Sequence, residues 1–177
     1  MSDNSIPLSV ISSLQRNYHW MQIGIGKSVL TQQPPQGGYW ILVFDRRNLQ
    51  VVYNQVQTAG NVVPNLGAYN TTDYVLVVAT SGVGLDNQPQ GPFYTFLDQN
   101  GGGRELRRVN QIAQQFNCGS LGTFGYALVS VLGNTDQPGF EASVITNPSL
   151  GPVLTVQLMP FQVNGQTYYT PVELSNA

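Results

Sequence analysis

The sequence predicts an α+β domain built on a buried β-sheet, and three observations carry that expectation. Apolar runs at Tyr39–Phe44, Tyr74–Ala79 and Tyr126–Leu132 are nearly unbroken, as strands covered on both faces must be. Arg104–Phe116 sets Leu106, Val109, Ile112, Ala113 and Phe116 at spacings of three, four and seven, the mark of one amphipathic helix. Between such segments lie clusters of glycine, proline, asparagine and aspartate, whose backbone preferences make turns. At 177 residues the chain is long enough for one core and short for two, so one domain is expected, with its compact part from Gly37 to Ile145.

Taken from the N-terminus, Ser5-Ile6-Pro7 has the residues of a helix start, a capping hydroxyl and a first-turn proline. Leu8, Ile11 and Leu14 recur every third residue, so a short amphipathic helix is expected to about Arg16, forming an N-terminal arm over residues 1–17. Tyr18–Ile25 and Lys27–Leu30 read as strand pieces, and Gln32–Gly38 as a loop, because its prolines and glycines break ladders. Tyr39–Phe44 and Leu49–Gln57 make a hairpin across Asp45-Arg46-Arg47-Asn48. Tyr74–Ala79 follows a polar connection, and Ser81–Gly103 then reads as one long loop. After the helix, Asn117 and Gly119 are placed to end it, and Tyr126–Leu132 and Phe140–Ile145 are strands separated by a turn-rich segment. Val153–Val163 and Gln166–Leu174 flank Asn164-Gly165, a hairpin signal because both turn residues tolerate positive φ. Pro160 and Pro171 put these strands at or near an edge. Residues 18–146 are thus the domain proper and 147–177 a C-terminal hairpin extension.

Charged residues make up only 9 % of the chain, against roughly 25 % in average globular proteins, so solubility rests on amides and hydroxyls. A net charge of −2 supplies no general attraction for nucleic acid or anionic lipid, and neither is expected as a partner. No apolar run approaches the roughly 20 residues of a membrane span, so no membrane insertion is expected. Met1–Leu14 lacks the basic stretch, apolar block and cleavage site of a secretory signal.

Motifs that could carry chemistry are thin. Gly24-Ile25-Gly26-Lys27-Ser28 ends like a P-loop, but the first glycine of that motif is replaced by Met21 and no helix pattern follows. A strand irregularity is the better account. His19 is the sole histidine and Cys118 the sole cysteine, with no local nucleophile–base arrangement and no paired metal ligands. No catalytic residue, metal or cofactor is assigned, and a non-enzymatic protein is expected. Arg104, Arg107 and Arg108 crowd the start of the main helix, where cations oppose the macrodipole, and Glu105 can relieve this through Arg108.

The order of elements resembles a known family. Gly37-Gly38 before Ile41–Asp45, the return strand ending at Thr58-Ala59-Gly60, Val75–Thr80, the helix closing at Phe116, Gly119-Ser120-Leu121-Gly122, and Tyr126–Gly133 followed by Pro138–Val144 are similar to the interleukin-like EMT inducer (ILEI) domain. That domain, also called the GG or PANDER-like domain, is itself similar to the stem domain of a protein O-mannose N-acetylglucosaminyltransferase. The resemblance implies two small, mainly antiparallel β-sheets packed face to face with short flanking helices. It also implies a non-enzymatic role, as a cytokine-like or carbohydrate-binding module. The chain departs from the family where Ser81-Gly82 replaces an acidic pair and Thr123-Phe124-Gly125-Tyr126 replaces an Arg-Asp-Ser/Thr-Trp motif.

With those charges absent, ligand contacts are sought in Ser81–Gly103. Sugars are commonly held by an aromatic face together with amide and carboxylate hydrogen bonds. Asp86, Asn87, Phe93, Tyr94 and Asp98, joined by Arg104 at the helix start and Tyr126 at the strand start, are therefore the candidate ligand-binding residues. The plainer reading of Phe93 and Phe96 is that they pin the loop to the core. Two functions follow: a carbohydrate- or receptor-binding module, and a self-assembling subunit of a virion, tail or surface appendage. In the second, a homo-oligomer forms through the N-terminal arm and the C-terminal hairpin, since open strand edges pair with other chains. Either role suits an extracellular or appendage-associated protein.

Overall fold

Unbroken apolar runs need cover on both faces, and the fold supplies it by placing one sheet between a second sheet and a pair of helices. The structure is a computed structural model that describes residues 4–14, 20–33, 37–115, 122–145 and 151–173. Phe116, Asn117, Cys118 and Gly119, expected at or just past the helix end, lie outside the described residues, as does His19.

The strands are β1 (Ile6–Ile11), β2 (Met21–Ile25), β3 (Ser28–Gln32), β4 (Gly38–Asp45), β5 (Val51–Gln57), β6 (Tyr74–Ser81), β7 (Val83–Gly84), β8 (Thr123–Val131), β9 (Phe140–Val144), β10 (Val153–Val163) and β11 (Gln166–Glu173), and the helices are α1 (Gly91–Gln99) and α2 (Arg104–Gln115). A five-stranded outer sheet has the order β11-β10-β1-β2-β3, and a six-stranded central sheet has β5-β4-β6-β8, with β7 and β9 each pairing a different part of β8. All of these pairings are antiparallel. The result is α+β, mostly β, with two sheets.

Alternation along each central strand divides the core in two. Trp40, Leu42, Phe44, Val75, Val77, Ala127 and Val129 face the outer sheet, where Leu8, Val10, Met21, Ile23, Val156 and Leu158 meet them. Tyr39, Ile41, Val43, Leu76, Val78, Tyr126 and Leu128 face the helices, against Phe93, Leu97, Leu106 and Val109. Every residue of β4 is buried, which is why its sequence carries no period-two signal.

The helix expected from Ser5 to about Arg16 is instead β1, the middle strand of the outer sheet. Leu8 and Val10 point inward and are fully buried, while Pro7 and Ser9 alternate outward. Leu8, Ile11 and Leu14 fit a helical spacing, but period two fits Ile6, Leu8 and Val10, and the ladders on both sides decide the matter. This segment is therefore not a free arm. Beyond it the chain crosses to the central sheet: the Ser12 hydroxyl donates to the Tyr126 carbonyl (2.6 Å) and accepts from Thr80 N (3.0 Å).

The stretch Ser81–Gly103, expected as a loop, holds β7, a short 3-10 turn at Leu85–Asn87 and α1. Helix α1 was hidden because a Gly-Pro start and three aromatics look like loop sequence. Yet Pro92 sits in the first turn, where no N–H is needed, and Phe93, Phe96 and Leu97 form its buried stripe. The P-loop-like Gly24–Ser28 is the β2–β3 hairpin, with Gly26 at φ +59 and its N–H committed to the Pro7 carbonyl at 2.8 Å. Asn164 and Gly165 make the expected turn of the β10–β11 hairpin, both at positive φ. That hairpin packs on its own chain. Tyr169 N donates to the Arg46 carbonyl (2.9 Å), and Arg46 returns a bond from Nε to the Tyr169 carbonyl (2.8 Å) while lying over the Phe161 and Tyr168 rings.

Candidate functional site

The corner where α1 ends and α2 begins is built on three successive glycines. At Gly101 and Gly103, φ is +82 and +98, a region side chains disfavour. A Cβ on Gly102 would lie 2.9 Å from the Tyr126 hydroxyl and 3.0 Å from the Leu97 carbonyl. The corner is then stitched to the β8–β9 connection. Gly139 N donates to the Gly101 carbonyl (2.7 Å), and the buried Asn100 side chain joins Phe96 O (2.8 Å) to Gly133 N (2.8 Å).

The charge problem of an arginine-rich helix start is solved from β9. The Glu141 side chain, 1 % exposed, accepts hydrogen bonds from the N–H groups of Gly103 (2.7 Å), Arg104 (3.1 Å) and Glu105 (3.3 Å). The Tyr126 hydroxyl donates to the same carboxylate at 2.7 Å. A carboxylate thus caps the donors that a helix leaves unsatisfied and offsets its positive end. Burial first, and then the adjacent Glu141 charge, push the Tyr126 phenol well above its usual value. Glu105 is tied in as well, accepting from Ser143 (2.7 Å) and, as expected from the sequence, from Arg108 (3.1 Å).

Above this floor opens a cleft of about 510 Å³, whose rim includes Asp98, Gln99, Arg104, Arg107, Thr135 and Gln137. Arg107 reaches Asp98 at 2.7 Å and the Tyr94 hydroxyl at 3.4 Å. It also lines a second cleft, of about 340 Å³, with Gln88, Gln90, Tyr94 and Asn110. The two clefts therefore meet at one guanidinium, with carboxylate and hydroxyl groups on one side and a tyrosine with amides on the other.

Of the candidate residues, the structure brings Asp98 and Arg104 into the first cleft, Tyr94 into the second, and Tyr126 beneath the first, linked through Glu141. Three lie elsewhere. Phe93 is fully buried, edge-on to Tyr39 with centroids 5.2 Å apart, so it pins α1 to the central sheet. Asn87 staples the 3-10 turn to the end of β5, donating to Thr58 O (2.7 Å) and accepting from Gly60 N (3.1 Å). Asp86 is exposed beside it, outside both clefts. Sequence reasoning missed Glu141, Gln137 and Thr135, which reach the corner from the β8–β9 side. The one signal was a lone glutamate in an otherwise uncharged strand, Phe140–Val144.

Among the described residues, no group of three or more His, Cys, Asp or Glu is arranged to hold a metal ion, and no helix is long and apolar enough to cross a membrane. No protein-family model matches the chain, and no curated protein matches it significantly.

Proposed function

We propose that this protein is a non-catalytic binding module with an ILEI-like fold, and that the two clefts meeting at Arg107 hold a carbohydrate, free or carried on a surface receptor. The observation that carries this reading is the convergence of donors and acceptors on rigid backbone around one guanidinium. A sugar hydroxyl both donates and accepts, so it is served by a mixed set such as Asp98, Gln99, Arg107 and Gln137 better than by a single charge sign. Tyr94 adds an aromatic surface next to amides, the combination that orients a saccharide ring. Preorganisation matters because binding otherwise spends energy on ordering side chains, and here the glycine corner, Asn100 and Glu141 fix the floor.

Binding rather than catalysis is supported by the state of the acids. Glu141 already accepts four hydrogen bonds, and Asp98 is engaged by Arg107, so neither is poised as a general base. A glycan array followed by titration with soluble oligosaccharides tests the reading. Binding is expected, weakened at least tenfold by Arg107→Ala and by Gln137→Ala with the fold intact. Absence of binding across the array, or binding indifferent to both substitutions, would reject it.

A further inference from the structure

The two flanks of the sandwich are protected very differently. On one flank, β11 carries Pro171 and Glu173 and is latched to Arg46, and β9 carries Glu141 just after Pro138. Prolines, charges and latches of this kind stop an edge strand from pairing with other chains. On the opposite flank, β3 (SVLTQ) ends the outer sheet and β5 (VVYNQVQ) ends the central one, each paired on one side only among the described residues. Neither strand holds a charge, a proline or a glycine, in a chain with seven basic and nine acidic residues. Leu30 of β3 and Val56 of β5 pack on the same intersheet core, and Leu30, Leu49 and Val51 line one cleft of about 450 Å³, so the two edges lie side by side.

We propose that this flank is a self-association surface on which β5 pairs antiparallel with β5 of a second copy of the chain, flanked by β3. A second copy is the occupant that the sequence of the edge favours. Pairing about a two-fold axis sets a strand against its own residues, so any charge near the centre of β5 would face a like charge, and β5 has none. Its side chains suit a new ladder, with valines and a tyrosine at positions 51, 52, 53 and 56. The surface differs from the N-terminal arm and C-terminal hairpin expected from sequence, since β1 is internal to its sheet and the hairpin is latched in its own chain. It is also independent of the carbohydrate reading, whose clefts are lined by the helices, the segments joined to them and the β8–β9 side, and by no residue of β3 or β5.

Light scattering of the full chain over roughly 1–200 µM tests the proposal, since an edge contact belongs among the smaller interfaces. The expected result is a mass rising from 19.3 kDa toward twice that value. Gln55→Lys, and to a lesser degree Thr31→Lys, should raise the dissociation constant at least tenfold, while Phe161→Lys on the hairpin leaves it unchanged. Hydrogen exchange on the unmodified protein gives a check that needs no variant: amides of Val51–Gln57 should gain protection as concentration rises. A monomer at every concentration overturns the proposal, as does a dimer that survives Gln55→Lys and is lost on Phe161→Lys.

Discussion

The central and outer sheets are made of the same kinds of residue, yet they present opposite patterns. In the central sheet β4 is buried at every position, and all of β6 and β8 except their first residues is too. In the outer sheet β1 and β10 alternate, with Val10 fully buried and Val153 61 % exposed across the same ladder end. The difference lies in coverage, since one sheet has neighbours on both faces and the other on one. A strand's chemical signature therefore reports how many of its faces are covered, and the sheet with less cover is the one most easily misread.

The contrast is most exposed to disproof at β1. Because that strand pairs with β10 and β2 at once, Ser9→Pro removes a donor from a ladder whichever way its N–H points. Loss of the cooperative unfolding transition is expected, as it is for deletion of residues 1–14; a stable folded product of that deletion would mean the segment is an arm after all. Next in size, Leu42→Ala in the doubly covered sheet should cost about 2–5 kcal/mol by chemical denaturation. Thr155→Ala on the solvent face of the outer sheet should stay within about 0.5 kcal/mol.

Glu141→Ala should cost about 1–3 kcal/mol, since it strips the cap from α2 and leaves the buried Tyr126 hydroxyl without its acceptor. Tyr126→Phe should cost less, as the backbone bonds to Glu141 survive. The smallest of the electrostatic effects belongs to the β4–β5 turn. Its hydrogen bonds from the Arg47 side chain, opposed by partial burial, hold Asp45 below the usual carboxylate range. Stability from that pairing is therefore present above the ordinary carboxylate pKa and is lost as pH falls through the lowered value. Asp45→Asn should flatten the acid limb of the stability profile by under about 1 kcal/mol.

Legibility in the sequence followed the same rule of coverage. β4, β6 and β8 were plain because continuous apolar runs of that length, bounded by turn residues, fit a doubly covered strand and little else, and α2 because its stripe is long. β1 was not, because six residues with one proline satisfy a helical spacing as readily as an alternating one. At the site, Asp98, Arg104 and Tyr94 were reachable from composition, since they sit where the chain turns between helices. Glu141 was beyond reach: its role depends on β9 pairing with β8 and delivering a carboxylate to a helix start 37 residues earlier in the chain. Phe93 and Asn87 show the converse, with the residue types of a sugar site spent on packing and on a staple.

Whether sugar is held at the α1–α2 corner can be read from an NMR titration of the uniformly labelled protein with the oligosaccharide that scores highest on the array. Saturable shifts are expected for the Arg107 Nε–H and for the side-chain amides of Gln99, Gln137 and Asn110, with the outer sheet silent. Shifts confined to the outer sheet, or none at saturating sugar, would contradict the placement of function at that corner.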